Sequence, residues 1–249
     1  MIDRDTMVGY TQMLLEAGRF KDYGPNGLQV EGRPAIRKLV TGVTASLALI
    51  EAAIQQEADA ILVHHGLFWR GQDGRVTGWM RQRLGRLLAH DISLIAYHLP
   101  LDAHPSLGNN AQWGHRMGLT ADARFGDQDL GFIGPAPDDL TVDSLSAQVR
   151  AALDREPVVL PGDGRPLRRV AWCSGGAQGY FEQAIAAGAD VFLTGEVSEP
   201  QAHYARETGV AFLACGHHAS ERYGVQALGA HLSERFDLQH VFIDVPNPA

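Results

Sequence analysis

The sequence predicts an α/β protein built as two similar βαβ-type domains, with sheets flanked by helices. Three observations carry that expectation: strand-like apolar runs alternate with helical ones, the second half repeats the first, and polar groups able to bind metals stand where strands end.

Taken in order, the elements begin with a helix from Arg4 to Ala17 and a Pro25-Asn26-Gly27 turn feeding a short strand. Leu39 to Val43 reads as a strand, Ser46 to Glu57 as a helix and Ala60 to Val63 as a strand. A helix from Thr77 to Ala89 places Trp79, Met80, Leu84, Leu87 and Leu88 roughly on one side, and Ile92 to Tyr97 is the next strand. The second half opens with a strand from Leu130 to Ile133, a helix from Val142 to Leu153 and a Pro161-Gly162-Asp163-Gly164 turn. It continues with strand Arg169 to Cys173, helix Tyr180 to Ala187, strand Val191 to Thr194, helix Glu199 to Glu207 and strand Val210 to Ala214. A last helix, from about His218 to Phe236, and the strand Val241 to Ile243 close the chain.

A shift of 131 residues lays Leu39 to His65 over Val170 to Glu196, matching Glu51 with Glu182, Ala58 with Ala189, Asp59 with Asp190 and Leu62 with Leu193. His65 then falls opposite Glu196, and the next connection is 13 residues shorter in the second copy. The domain division expected is 1–125 plus 218–249 for the first domain and 126–217 for the second.

Composition bounds the function. The 249 residues, 45% hydrophobic and 20% charged, describe an ordinary globular protein. No apolar stretch reaches membrane-spanning length and the N-terminus starts with charge, so the expected location is cytoplasmic, away from membranes. Cys173 and Cys215 form no C-x-x-C pair and read as reduced and buried. A net charge of -8 disfavours broad nucleic-acid binding, which only a local basic patch would support.

Four strand exits carry the chemistry: His64-His65, His98 with Asp102, Glu196, and Gly216 to Glu221. Parallel strands bring their carboxyl ends to one edge, where open α/β sheets bind ligands. A strand alternates its side chains, so His64 and His65 converge only where the strand frays, with Gly66 allowing the break, or else they serve two adjacent metals. An isolated pair would equally suit a buried, hydrogen-bonded histidine beside an exposed one. His217 and Glu221, four apart at a helix start, share a face and can hold one ion, though Glu221 also suits the helix dipole. Asp102 sits behind Pro100 in an extended turn, and His98 reads as a ligand or as an orienting partner. Ser174, Gly175 and Gly176 lie in a strand-to-helix loop able to cradle phosphates or to permit tight packing.

Five segments, Asp22 to Val30, Val63 to Trp69, His98 to Asn109, Thr194 to Glu196 and Gly216 to Glu221, resemble in order the motifs of the GTP cyclohydrolase 1 type 2 homologs, the NGG-interacting-factor-like family. The resemblance covers nearly the whole chain. It implies that His64, His65, Asp102, His217 and Glu221 ligate two divalent ions per chain, with Glu221 bridging. It also implies two domains packed around that shared metal site, the last helix and strand returning to the first domain, and a ring-shaped homohexamer. The family commonly has Pro where Gly66 stands and Tyr where His218 stands. Nitrogen and oxygen ligands do not choose among Zn, Mn, Fe, Ni and Co.

Two divalent ions facing two carboxylates and a bridging hydroxide leave a positive centre. That centre suits hydrolysis of a small anionic, nucleotide-like substrate, with Glu196 or His98 moving protons. GTP cyclohydrolase-type activity follows only from the family name. The alternatives are a non-catalytic metal-binding scaffold or regulatory ring, and a toroid enclosing nucleic acid.

Overall fold

The computed structural model describes residues 1–249, which divide into two compact units. The first comprises Met1–Gly108 and Gly224–Val245, the second Asn109–Tyr223 and Pro246–Ala249. Residues 109–125, expected with the first domain, thus belong to the second unit, as do the first turns of the last helix.

In the first unit the order is β1 (Ile2–Asp3), α1 (Arg4–Leu14), β2 (Gly27–Val30), β3 (Ala35–Ile36), β4 (Lys38–Thr44), α2 (Leu47–Gln55), β5 (Ala60–His65), α3 (Gly78–Ala89), β6 (Ser93–Ala96) and α4 (Leu99–Ala103). The second unit adds α5 (Asn109–Arg116), β7 (Ala123–Phe125), β8 (Gly131–Pro135), α6 (Val142–Leu153), β9 (Val158–Leu160), β10 (Arg169–Trp172), α7 (Phe181–Ala186), β11 (Val191–Thr194), α8 (Glu199–Thr208) and β12 (Ala211–Ala214). Then come α9 (His217–Phe236) and β13 (Gln239–Phe242).

The first unit holds a sheet ordered β13-β4-β5-β6-β2, in which only β2 runs antiparallel to its neighbour. Strand alternation explains its two hydrophobic layers. Val40, Ile61, Val63, Leu94 and Ala96 pack on one face with Leu49, Ile50 and Ala53 of α2 and Met80 and Leu87 of α3. Leu39, Ala60, Leu62, Ile95 and Tyr97 pack on the other with Met7 of α1 and Val225, Leu228 and Leu232 of α9. A parallel sheet buried on both faces needs the near-continuous apolar runs that β4 and β5 supply. Ser46 accepts from Leu49 N at 3.1 Å and caps α2, so the chain turns sharply from β4 into its crossover.

The second unit's sheet is ordered β7-β8-β10-β11-β12-β9. Its parallel core β10-β11-β12, with antiparallel β9 at one side, matches β4-β5-β6 with antiparallel β2, which is the repeat read in the sequence. The copies part at the opposite edge: parallel β13 flanks β4, whereas antiparallel β8 flanks β10. Trp172, Leu193 and Leu213 pack with Leu145, Val149 and Leu153 of α6, while Phe181, Phe192 and Phe212 form an aromatic cluster.

Three local expectations change. α3 buries Met80 and Leu87, but Trp79 and Leu88 lie at its margins, 53% and 62% exposed. Asp102 stands in a short helix instead of an extended turn, because Pro100 occupies the first turn, where no N–H is needed. Strand β5 continues through His65 instead of fraying at His64, and Gly66 has no left-handed conformation. A Cβ there would collide with Gln29, whose Oε1 accepts from Leu67 N at 2.8 Å. Space, not backbone freedom, explains that glycine.

Candidate metal centre

Pairing of β5 with β6 ends at Val63–Ala96, while its pairing with β4 runs on to Thr44–His65. The two histidines therefore occupy a strand end held from one side. His64 is fully buried, and its ring centroid lies 4.6 Å from that of His65. His64 Nδ1 donates to Tyr97 O at 3.0 Å, which fixes its tautomer and leaves Nε2 facing Asp102 Oδ1 at 3.5 Å. His65 Nδ1 is hydrogen-bonded to the Thr44 hydroxyl at 3.0 Å. One ring nitrogen each from His64, His65 and His98 lie within 4.8 Å of one another.

His98 stands at the start of α4, and its Nδ1 donates to Asp22 Oδ1 at 2.7 Å. Asp22 also accepts from Tyr23 N at 2.6 Å, Asn26 Nδ2 at 2.9 Å and Leu99 N at 3.0 Å. Burial raises the Asp22 carboxyl and the hydrogen bond and charge of His98 lower it, leaving it net below the ordinary carboxylate value. Asp22 is the functional residue the sequence did not single out. Its segment carries part of the family resemblance, but a carboxylate bonded to residues more than 70 positions away has no local signature. Trp69, its ring 5.1 Å from His98 and perpendicular to it, walls this cluster.

The second unit carries its own cluster at the start of α9. His217 Nδ1 donates to Glu196 Oε1 at 2.7 Å, and its Nε2 meets Glu221 Oε2 at 3.2 Å. The i,i+4 spacing brings the pair together as expected. Burial depresses the His217 imidazolium, and the hydrogen bonds and charges of Glu221 and Glu196 outweigh it, raising it to about 9. A metal held by Nε2 would take the place of that proton. Glu196, exit of the repeated strand, thus acts visibly as the partner that orients His217, and its other oxygen accepts from Gln178 Nε2 at 3.1 Å.

In the Ser174–Gly176 loop two backbone donors are spent inside the unit. Ser174 N donates to Asn110 Oδ1 and Gly175 N to Ser220 Oγ, while Gly195 N returns to Gly175 O. Gly175 has φ +70° and a Cβ there would overlap Glu221 Oε1, so its missing side chain makes the cradle in which that carboxylate lies. Both cysteines are buried and outside any disulfide, and burial pushes the Cys215 thiol far up.

The donor set fits a divalent first-row metal. Imidazoles and carboxylates supply mixed nitrogen and oxygen ligands, and each Nδ1 is held by an outer partner, the usual arrangement behind a ligating histidine. Fold and clusters together define an α/β protein of two related units that offers candidate metal-ligand groups. The family model described as Duf34/NIF3 (NGG1p interacting factor 3) matches residues 2–248, and the chain belongs to that family. It is 52% identical over 247 residues to a GTP cyclohydrolase 1 type 2 homolog of Pseudomonas aeruginosa, covering 98% of each chain. The homolog of Escherichia coli K12 is 48% identical over 243 residues, covering 94% of this chain and 95% of its own. Among solved structures, the protein ybgI, described as of unknown function, superposes with a TM-score of 0.95 at 45% identity, covering both chains fully. A protein of Thermus thermophilus does so with 0.89 at 35%, again over 100% of both chains. No helix is long and apolar enough to cross a membrane.

Proposed function

We propose that the chain is a dinuclear metal-dependent hydrolase acting on a small anionic, nucleotide-like substrate, with His64, His65, Asp102, His217 and Glu221 as ligands of two divalent ions. The observation that carries it is the shared dress of the histidines: His64, His65 and His217 each have Nδ1 engaged by Tyr97, Thr44 or Glu196. That pattern orients Nε2 and strengthens it as a donor. Bound ions would act as Lewis acids and lower the pKa of water at the centre.

The chain's own residues do the rest. Asp22 holds His98 by Nδ1, so His98 Nε2 is the nitrogen that takes or gives a proton. Glu196 is the second proton-moving group, through Oε2. Gly175 lies against the His217–Glu221 pair and Gly176 against Glu196, and the Ser174–Gly176 loop is the candidate substrate-binding loop. Trp69, set against His65 and His98, shields that side from water. A nucleotide-like substrate agrees with the name carried by the relatives. A ring-shaped homohexamer in the cytoplasm completes the proposal.

One observation favours a non-catalytic scaffold instead: both Glu196 oxygens are already engaged, by His217 and Gln178. Metal analysis followed by a nucleotide and phosphoester screen decides between them. The expected result is about two ions per chain, and hydrolysis that falls by about a hundredfold or more in Asp102→Ala. Metal bound after add-back, with no substrate turned over faster than by Asp102→Ala, would leave the scaffold standing and end the hydrolase reading.

A further inference from the structure

The connection that is 13 residues longer in the first copy has a composition unlike the rest of the chain. From Arg70 to His90 it holds Arg70, Arg75, Arg81, Arg83 and Arg86 against a single acid, Asp73, in a protein of net charge -8. Most of this stretch is α3, whose Met80 and Leu87 face the core. Its other side is open. Arg81, Gln82, Gly85 and Arg86, with Leu47 of α2, line a groove of about 370 Å³. A Cβ at Gly85 would meet nothing within 4 Å, so the groove opens directly onto the helix.

The charges here are only partly neutralised. Arg75 is paired with Asp73 at 2.6 Å and Arg86 reaches Glu51 at 3.5 Å, whereas Arg81 and Arg83 have no carboxylate partner. Arg83 lies over the Trp79 ring at 4.8 Å, with its Nε buried and without a hydrogen bond. Trp79 is 53% exposed, as is a neighbouring apolar side chain, Val76, at 52%. Large aromatics at a solvent-facing helix margin gain little from the core and much from a stacking partner.

We propose that α3 and its groove form a binding surface for single-stranded nucleic acid, separate from the metal centre. Arg81 in the groove and Arg83 beside Trp79 supply phosphate contacts, and the exposed tryptophan supplies a platform for an unstacked base, the two parts such surfaces combine. At 1.5 Å per residue the 12 residues of α3 span about 18 Å, room for several nucleotides. A duplex keeps its bases stacked and offers Trp79 nothing, so the surface selects single strands. Local charge complementarity operates within a few ångströms and is screened from the distant acidic surface beyond about 8–10 Å.

The test is fluorescence anisotropy of a labelled thymidine 20-mer with the full chain, stripped of metal so that failure of the hydrolase reading does not enter. Wild type should bind in the range of about 1–100 μM at low salt, and more weakly as salt rises. Arg81→Gln with Arg83→Gln should weaken binding about tenfold or more and flatten the log–log salt dependence by about 0.7 per lost phosphate contact. Trp79→Ala should weaken it about fivefold or more. Gly85→Glu, which fits the open groove and improves helix propensity, should abolish binding while the thermal melt is kept. No binding by wild type at about 100 μM protein overturns the proposal, as does binding that the folded Arg81/Arg83 variant retains. Equal affinity for a duplex of the same length, or competition by inorganic phosphate at the oligonucleotide's own concentration, overturns it too.

Discussion

Replacing Gly175 by alanine should distort the candidate ligand pair of the second unit and destabilise the chain by about 2–4 kcal/mol, a large share of a typical folding free energy. Two independent causes act at this position. Gly175 has φ +70°, a left-handed conformation that costs an L-residue about 1–2 kcal/mol. The new methyl would also overlap Glu221 Oε1 and stand 3.2 Å from His217 Nε2. Glu221 is 2% exposed and cannot swing into water without opening the unit. Displacing it breaks the contact of the buried Glu221 carboxylate with the half-buried His217, which keeps Glu196 as its other partner. Chemical denaturation measures the stability loss, and metal analysis of the same sample measures the loss of bound ion. A Gly175→Ala protein with wild-type stability and full metal content would show that Glu221 does not need this cradle. Gly179 provides the control, because a Cβ there meets nothing within 4 Å and its alanine variant should retain both properties.

What the sequence made legible follows from which interactions are periodic and which are not. The crossover core of each unit, β4-α2-β5 and β10-α7-β11, has apolar runs with strand and helix periods, and both copies were readable from them within one or two residues. His217 and Glu221 were legible because helical spacing alone places them on one face. Asp102 is legible as a residue but its short helix is not, since the proline that opens the helix also reads as a turn. The small strands β1, β3, β7 and β9 have no sequence pattern of their own, because pairing with other segments makes them strands. The outward faces of Trp79 and Leu88 are illegible for a related reason: an apolar arc wider than the core it meets leaves its margins exposed. Asp22 lies at the far end of that scale. Its acceptors fill by contacts with His98 and Leu99, and nothing near it in sequence records them.

Asp22→Ala should cost about 3 kcal/mol or more, with the metal-free protein already showing most of the loss. The carboxylate serves four donors at once: His98 Nδ1, Tyr23 N, Asn26 Nδ2 and Leu99 N. Its side chain is 3% exposed, and each donor left orphaned away from water carries a penalty of about 1–3 kcal/mol, Tyr23 N being the one that solvent can reach. Asp22→Asn separates shape from charge. Its single oxygen can still accept from Tyr23 N and His98 Nδ1, or from Asn26 Nδ2 and Leu99 N, but not from all four, and the charge is gone, so it should fall between wild type and alanine. Acidification gives a second readout. A carboxyl held below its ordinary value stabilises the folded state at pH above the unfolded value, about 3.9, and loses that contribution as pH falls through the folded value. Wild type should therefore lose stability more steeply than Asp22→Asn below about pH 4, and the two curves should converge in acid. Parallel curves across that range would mean that Asp22 contributes shape alone. If the charge matters, the hydrogen bond it provides also decides which nitrogen of His98 is free, and the Asn variant should alter the pH profile of any hydrolysis along with the fold's stability.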